Sequence, residues 1–171
     1  MPVLVFILGI LAAAGIWYYR AQAAQRTATD LLDAANDVRL AARRFGFRRK
    51  SNVHPVDSID DARLAAAGIV HAVASMGAPL TQESERAINL QFQSVFGADK
   101  TEAAEISTFG AWIARQCGTK SEAVRRLGKR LHDLAGIDAR QDLLRMIEAV
   151  VPQMGEDELD ALRTLDRAFR V

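Results

Sequence analysis

The amino-acid sequence predicts an all-α protein: an N-terminal single transmembrane helix that extends into the cytoplasm, followed by a compact bundle of about six helices. Three observations lead to this prediction. Residues 2–19 carry no charged side chain. Beyond residue 57, glycines recur about every twenty residues, each at the end of an amphipathic run. Finally, no segment shows the alternation of polar and apolar residues that is typical of a half-buried strand.

The first element, residues 1–20, is predicted to be a transmembrane anchor. Eighteen uncharged residues span roughly 27 Å as a helix, which is close to the hydrocarbon thickness of a bilayer. The residues expected at the membrane interface are Trp17, Tyr18, Tyr19 and Arg20. A cleaved signal peptide, with a small-residue site at residues 12–14, is the alternative. The anchor is favoured because no basic residue precedes the apolar stretch.

Charge asymmetry predicts the orientation of the chain. Residues 20–50 hold eight Lys and Arg against three Asp, whereas residues 51–171 hold fourteen basic residues against eighteen acidic ones. The positive-inside rule therefore places the N-terminus outside and the C-terminal domain in the cytoplasm, as expected for a bacterial inner-membrane protein. The single cysteine, Cys117, fits a reducing compartment and is expected to be a small buried side chain.

Residues 21–56 are predicted to form a juxtamembrane helix and a basic linker. The alanine-rich sequence contains neither glycine nor proline up to Phe45, so the membrane helix is expected to continue until Gly46 ends it. The linker closes at Pro55, and the preceding residue, His54, is biased away from helix. Residues 57–171 then form the helical domain.

Within this domain, sequence signals for helix ends alternate with sequence signals for helix starts. Left-handed glycine C-caps are expected at Gly77, Gly97, Gly118, Gly136 and Gly155. Helix starts with the spacing of a capping box are Asp99 with Glu102, Thr119 with Glu122, and Asp138 with Gln141. Between them run apolar stripes at helical spacing, among them Ile88, Phe92 and Val95, and Leu159, Leu162, Leu165 and Phe169.

A weak internal repeat suggests a family. The segments "HAVASMGAPLTQESERAINLQF" and "EAVVPQMGEDELDALRTLDRAF" both run from an apolar helix through Met, a Gly turn and an acidic helix start to a helix that ends in Phe. Over residues 57–171 this arrangement resembles the TerB-like helical domain of tellurite-resistance proteins, which also occurs in the cytoplasmic part of the membrane-anchored co-chaperone DjlA. The resemblance implies an all-helical fold presented at a membrane.

The resemblance also implies a divalent-cation site, but the sequence departs from the pattern that would form it. The family commonly has Asp-Gly before the turn and a Glu several residues later. Here Met76 precedes Gly77, and Ser84 stands where the Glu would fall. In the second unit Met154 precedes Gly155. Because methionine is a poor ligand for hard cations, we expect no metal at either turn.

No grouping of residues predicts catalysis, so the chain is expected not to be an enzyme and to bind no cofactor. His71 is expected to be a partly buried histidine with a hydrogen-bond partner. His54-Pro55-Val56-Asp57 contains one residue more than the His-Pro-Asp motif of J-domains, and no second domain is present to house that motif. The expectation is therefore that this stretch has no chaperone role.

The basic run after the anchor is the last candidate site. It comprises Arg39, Arg43, Arg44, Arg48, Arg49 and Lys50. Such clusters close to a membrane attract anionic lipid or an acidic partner. They also act as orientation signals in a solvated linker, and the sequence leaves these interpretations open. Nucleic acid is not expected as a partner so close to a bilayer.

Together these observations predict a non-enzymatic single-pass membrane protein whose cytoplasmic domain is an interaction or adapter module, as in an accessory subunit of a membrane complex. Its partner would be a protein in or at the inner membrane, or a second copy of the chain, with anionic lipid as an additional contact. The alternative hypothesis is a metal- or stress-responsive protein related to tellurite resistance.

Overall fold

A computed structural model of the chain describes residues 36–48 and 52–170. The predicted anchor, with Trp17, Tyr18, Tyr19 and Arg20, lies outside these residues, as do Arg49 and Lys50. Among the helices that are described, none combines the length and the apolar character needed to cross a membrane. Residues 38–171 form one compact unit by their internal contacts.

The described chain is helical throughout and contains no strand, which confirms the all-α prediction for this part of the molecule. Residues 36–44 are helical, and a short 3-10 helix covers Pro55–Ser58. Six α-helices follow: α1 (Ala62–Ala74), α2 (Gln82–Phe96), α3 (Lys100–Arg115), α4 (Lys120–Ala135), α5 (Ala139–Val150) and α6 (Glu156–Ala168).

The helix starts follow local side-chain chemistry. Asp99 accepts a hydrogen bond from the backbone N–H of Glu102 (2.8 Å), and Thr119 accepts one from that of Glu122 (3.2 Å), so these two predicted caps are confirmed. The predicted cap at Asp138 is wrong. Its backbone is already helical (φ −65°, ψ −32°), and a capping side chain needs an extended backbone to reach the first free N–H groups.

The five glycines predicted to be left-handed C-caps divide into two groups. Gly97, Gly118 and Gly136 have positive φ (64°, 82° and 70°), as expected of residues that follow helix ends. The same prediction is wrong for Gly77 and Gly155, which are not among the positive-φ glycines of the described chain. Gly155 instead stands at the start of α6 with φ −82°.

Helix α1 is the centre of the core. Ten successive residues, 64–73, are buried, so the helix is enclosed on all sides by its neighbours. It packs mainly against α3 and α4. A Cβ added at Gly110 of α3 would lie 2.8 Å from the Ala67 backbone carbon, so the two helices approach closely at this glycine.

Most of the predicted apolar stripes face this core. Ile88 and Phe92 are fully buried in α2, and Leu165 is fully buried in α6. Two stripe positions are not buried: Val95 is 38% exposed and Leu159 is 44% exposed. In α6 the buried positions are Ala161, Leu165 and Ala168 together with the carboxylate Glu158, so Leu159 lies at the edge of the stripe.

The segment before the 3-10 helix also packs onto the domain. The Phe47 ring meets Phe109 edge-on at 5.0 Å between ring centres and Trp112 at 5.8 Å. Ala41 is fully buried, and Gly46, with φ +68°, ends the helical segment as predicted. The compact unit therefore includes residues that the sequence analysis assigned to the linker.

Candidate binding cleft

A cleft of about 500 Å³ lies where α1, α3 and the start of α4 diverge, and the loop after α1 forms one of its walls. Its apolar lining consists of Ala72, Pro79, Leu80, Ala111 and Ala114. The rest of its lining is His71, Ser75, Arg115, Gly118, Thr119 and Lys120. Its volume is in the range of small-ligand and side-chain pockets, and no carboxylate lines it.

His71 lines the cleft from α1 and is only 5% exposed. Its Nε2 shares a 2.9 Å hydrogen bond with the hydroxyl of Ser107 in α3, so the hydrogen-bonded buried histidine predicted from the sequence is confirmed. Its Nδ1 is buried and has no hydrogen-bond partner. Burial, and secondly the positive charge of Arg115, lower the pKa of His71 to about 4, so the ring is neutral at physiological pH.

Positive charge lines the open side of the cleft. Arg115 and Lys120 are both exposed, and the Lys120 ammonium donates to the backbone carbonyl of Ser75. Lys120 is also the first residue of α4, where the backbone dipole is already positive. The lysine and the helix end therefore both contribute positive potential at this edge of the cleft.

The nearby acid Glu122 does not offset this field. It belongs to the first turn of α4, but its carboxylate accepts bonds from Arg125 (2.7 Å) and Arg126 (2.6 Å). These two partners lower the pKa of Glu122 to about 2. The charge of Glu122 is therefore neutralised within its own helix. The described residues that line the cleft include no acidic residue, so the cationic side chains have no acidic partner there.

A second polar feature joins the two turns of the internal repeat. Glu158, at the start of α6, is only 8% exposed. Its Oε1 accepts the backbone N–H of Gly77 (2.9 Å), and its Oε2 accepts that of Gly155 (3.0 Å). A Cβ at Gly77 would lie 2.8 Å from Oε1, and one at Gly155 would lie 3.0 Å from Oε2. A side chain at either position would therefore have to displace the end of the Glu158 side chain, and neither glycine has a left-handed backbone.

This arrangement bears on the cation site that the TerB-like resemblance implies. Each oxygen of the Glu158 carboxylate already accepts a backbone N–H from one of the two turns. Within the described residues, no group of three or more His, Cys, Asp or Glu side chains is placed to hold a metal ion.

The predicted contact residues of the basic run lie away from the cleft. Arg39, Arg43 and Arg48 are exposed, and Arg44 forms a 3.0 Å ion pair with Glu105 of α3. None of these four arginines lines the cleft. The predicted contacts of Arg49, Lys50 and the interface residues 17–20 fall outside the described chain.

The remaining reactive side chains serve local structure. The Cys117 thiol is buried, and its burial raises its pKa, as expected for an unreactive core cysteine. Nδ1 of His54 accepts the N–H of Val56 (3.3 Å) at the start of the 3-10 helix, where the backbone of His54 is extended, as predicted. The ring of His132 packs edge-on against Phe169 at 5.6 Å.

Sequence reasoning singled out His71 as a buried histidine but did not select Arg115 or Lys120 of the cleft. These three residues come from three helices, and no short motif contains them. Only the unusual position of a lysine directly after a helix-capping threonine could have drawn attention to the cleft.

Comparison of the chain with protein-family models, with curated proteins and with solved structures produced no match in any of the three.

Proposed function

We propose that the protein is a non-enzymatic single-pass protein of the bacterial inner membrane whose cytoplasmic helical domain binds partners at the membrane surface. The observation that carries this proposal is the uncharged segment 2–19, whose last three residues are aromatic. Eight basic residues follow it within about thirty positions. This order of apolar, aromatic and basic residues is typical of a single span with its C-terminal part inside.

The described domain supports a binding role by the form of its surface. It has a cleft with apolar walls and a cationic edge, and these are the elements of a recognition site. A membrane tether raises the effective concentration of such a site for partners in the same membrane, so that modest affinity is sufficient. The role of an adapter or accessory subunit follows from these two properties.

The TerB-like character of the domain is part of the same proposal. It is supported by the repeated order of apolar helix, Met-Gly turn and acidic helix start.

The basic run is proposed as an additional contact to anionic lipid or to an acidic partner. Arg39, Arg43 and Arg48 are exposed and form no ion pair with another described residue, whereas Arg44 is paired with Glu105. We therefore expect the first three, with Arg49 and Lys50, to contribute more to this contact than Arg44. Each charge near an anionic surface contributes about 1 kcal/mol.

Membrane fractionation of the full chain tests the proposal. We expect the chain to remain with the membrane after a carbonate wash and to be released by detergent. In inverted vesicles, a tag at the C-terminus should be open to protease. A matched variant that lacks residues 1–20 should appear in the supernatant. Release of the full chain by carbonate would contradict the anchor, and protection of the tag would contradict the orientation.

A further inference from the structure

The cationic cleft lies next to an acidic and apolar surface of the same molecule. Glu156 and Asp157, in the first turn of α6, are exposed and pair with no described basic residue, and Leu159 beside them is 44% exposed. The bond from Gly77 to Glu158 ties this turn to the loop after α1. Pro79 and Leu80 of that same loop form a wall of the cleft.

We propose that two copies of the chain associate reciprocally, with the start of α6 of each copy, residues 156–159, docked in the cleft of the other. The proposal deepens the proposed function and rests on it, because it names a second copy as a partner of the membrane-bound domain. An interface of this kind is isologous, since each copy contributes the same two surfaces.

Charge complementarity is the first argument. The cleft presents Arg115, Lys120 and the N-terminal end of α4, with no carboxylate in its lining. The start of α6 presents Glu156 and Asp157. Because the Gly77–Glu158 bond holds the start of α6 next to the loop that lines the cleft, a two-fold axis between the two surfaces would bring each positive surface against a negative one.

The second argument is that the apolar lining of the cleft can accommodate the Leu159 side chain. Ala72, Ala111 and Ala114 have small side chains, and together with Leu80 they leave an apolar space in a cleft of about 500 Å³. Leu159 stands exposed next to the two acids and supplies an apolar side chain to fill such a space. Burying a leucine that is otherwise in water favours association.

A dimer of modest affinity is sufficient for a tethered protein. Confinement to one membrane converts association into a search over a surface, which raises the effective concentration of each copy for the other. Isologous dimers are also the commonest symmetric assemblies of soluble chains.

Sedimentation of the full chain in a mild detergent, over a range of protein concentrations, tests the proposal. We expect a dimer for the unaltered chain. The cleft variant Arg115→Glu/Lys120→Glu and the helix variant Glu156→Lys/Asp157→Lys should each be monomeric over the same range. Like charges facing each other cost several kcal/mol, which corresponds to a dissociation constant at least about 100-fold weaker.

Charge exchange separates docking from a folding defect. A mixture of the cleft variant and the helix variant should dimerise, because one contact is restored with reversed signs and the other keeps the original signs. The fourfold variant should dimerise with itself for the same reason. The matched control is the variant Lys129→Glu/Arg167→Glu, which reverses two charges in the separate groove between α4 and α6. This variant should stay dimeric.

Three outcomes would overturn the proposal: a full chain that is monomeric throughout, a dimer that persists in both single-surface variants, or a mixture that fails to reassociate although each variant keeps its helical circular-dichroism spectrum. Failure of the anchor is seen in a different experiment, the fractionation, which depends on residues 1–20. A chain that dimerises through the cleft without binding membranes would refute the anchor alone.

Discussion

Two stretches of the same helix, one turn apart, have opposite surroundings. At Ala67 and Gly68, α1 is packed so tightly that a methyl group added on α3 or α1 would meet atoms at 2.7–2.8 Å. At His71, Ala72 and Ser75 the same helix lines an open cleft of about 500 Å³. Ala67, Gly68, His71 and Ala72 are all buried, but only the second stretch lies beside a cleft.

The contrast is sharpest on α3, where Gly110 and Ala111 are neighbours in sequence. Gly110 faces the backbone of Ala67 across the helix crossing, and Ala111 lines the cleft. Successive residues of a helix point about 100° apart, so one helix can belong to both surroundings at the same level. Three substitutions and the protonation of His71 test this difference, from the largest expected effect to the smallest.

The substitution Gly110→Ala should have the largest effect. Its Cβ would lie 2.8 Å from a backbone carbon of Ala67, so the two helices must move apart, at a cost of about 3 kcal/mol in the free energy of unfolding. Urea unfolding of the full chain, followed by circular dichroism, measures this loss. The matched control is Gly68→Ala, which meets only the side-chain methyls of Leu127 and Ile113 and should cost less. Equal stability of Gly110→Ala and the unaltered chain would contradict the close crossing.

Protonation of His71 should have an effect of similar size. Its pKa is about 4 in the folded protein against 6.5 for a free histidine, so the unfolded chain binds the proton more readily. Stability should therefore be highest above pH 6.5 and should fall by about 3 kcal/mol as the pH decreases to 4. Urea unfolding at several pH values gives this slope. The variant His71→Gln should lose the part of the slope that lies between pH 4 and 6.5, and an unchanged slope would show that another group causes it.

The substitution Ser107→Ala should have a smaller effect. It removes the hydrogen-bond partner of His71 Nε2 and leaves both ring nitrogens unpaired, at a cost of about 1–2 kcal/mol. The loss is measured by urea unfolding at pH 7. Since the imidazole remains buried, the variant should keep the pH slope between 4 and 6.5. A variant as stable as the unaltered chain would mean that the hydroxyl adds nothing to the packed side of the cleft.

The smallest effect on stability is expected for Ala111→Leu. Its larger side chain extends into open space, so the free energy of unfolding should change by less than about 0.5 kcal/mol. The same variant should fill the cleft and abolish the dimer in sedimentation. Comparison with Gly110→Ala is direct, because one added carbon should destabilise the fold while three added carbons at the next position should not. A large loss of stability here would indicate that residue 111 is closely packed.

The sequence predicted the helices better than the contacts between them. Helix starts at Asp99 and Thr119 depend on residues three positions apart, so they are visible in the chain itself. The same local reasoning was wrong at Gly77 and Gly155, because the backbone N–H of each is bound by the carboxylate of Glu158, which lies 81 positions from Gly77. It was wrong at Asp138 because the residue type permits a cap but the backbone there is already helical.

The candidate cleft could not be predicted for a related reason. Its lining comes from α1, the loop after it, α3 and the start of α4. His71 was singled out as a buried histidine with a partner, but the identity of Ser107 and the nearness of Arg115 depend on how the helices cross. The basic run, which is contiguous in sequence, attracted attention first, although it lies away from the cleft.

The bonds of Glu158 have a consequence for motion. Its carboxylate holds the amide protons of two turns that lie at opposite ends of the domain sequence. If either turn opens, one oxygen of this buried carboxylate loses its partner inside the protein, which opposes the opening. The two bonds also close the chain between the turns, residues 78–154, into a loop.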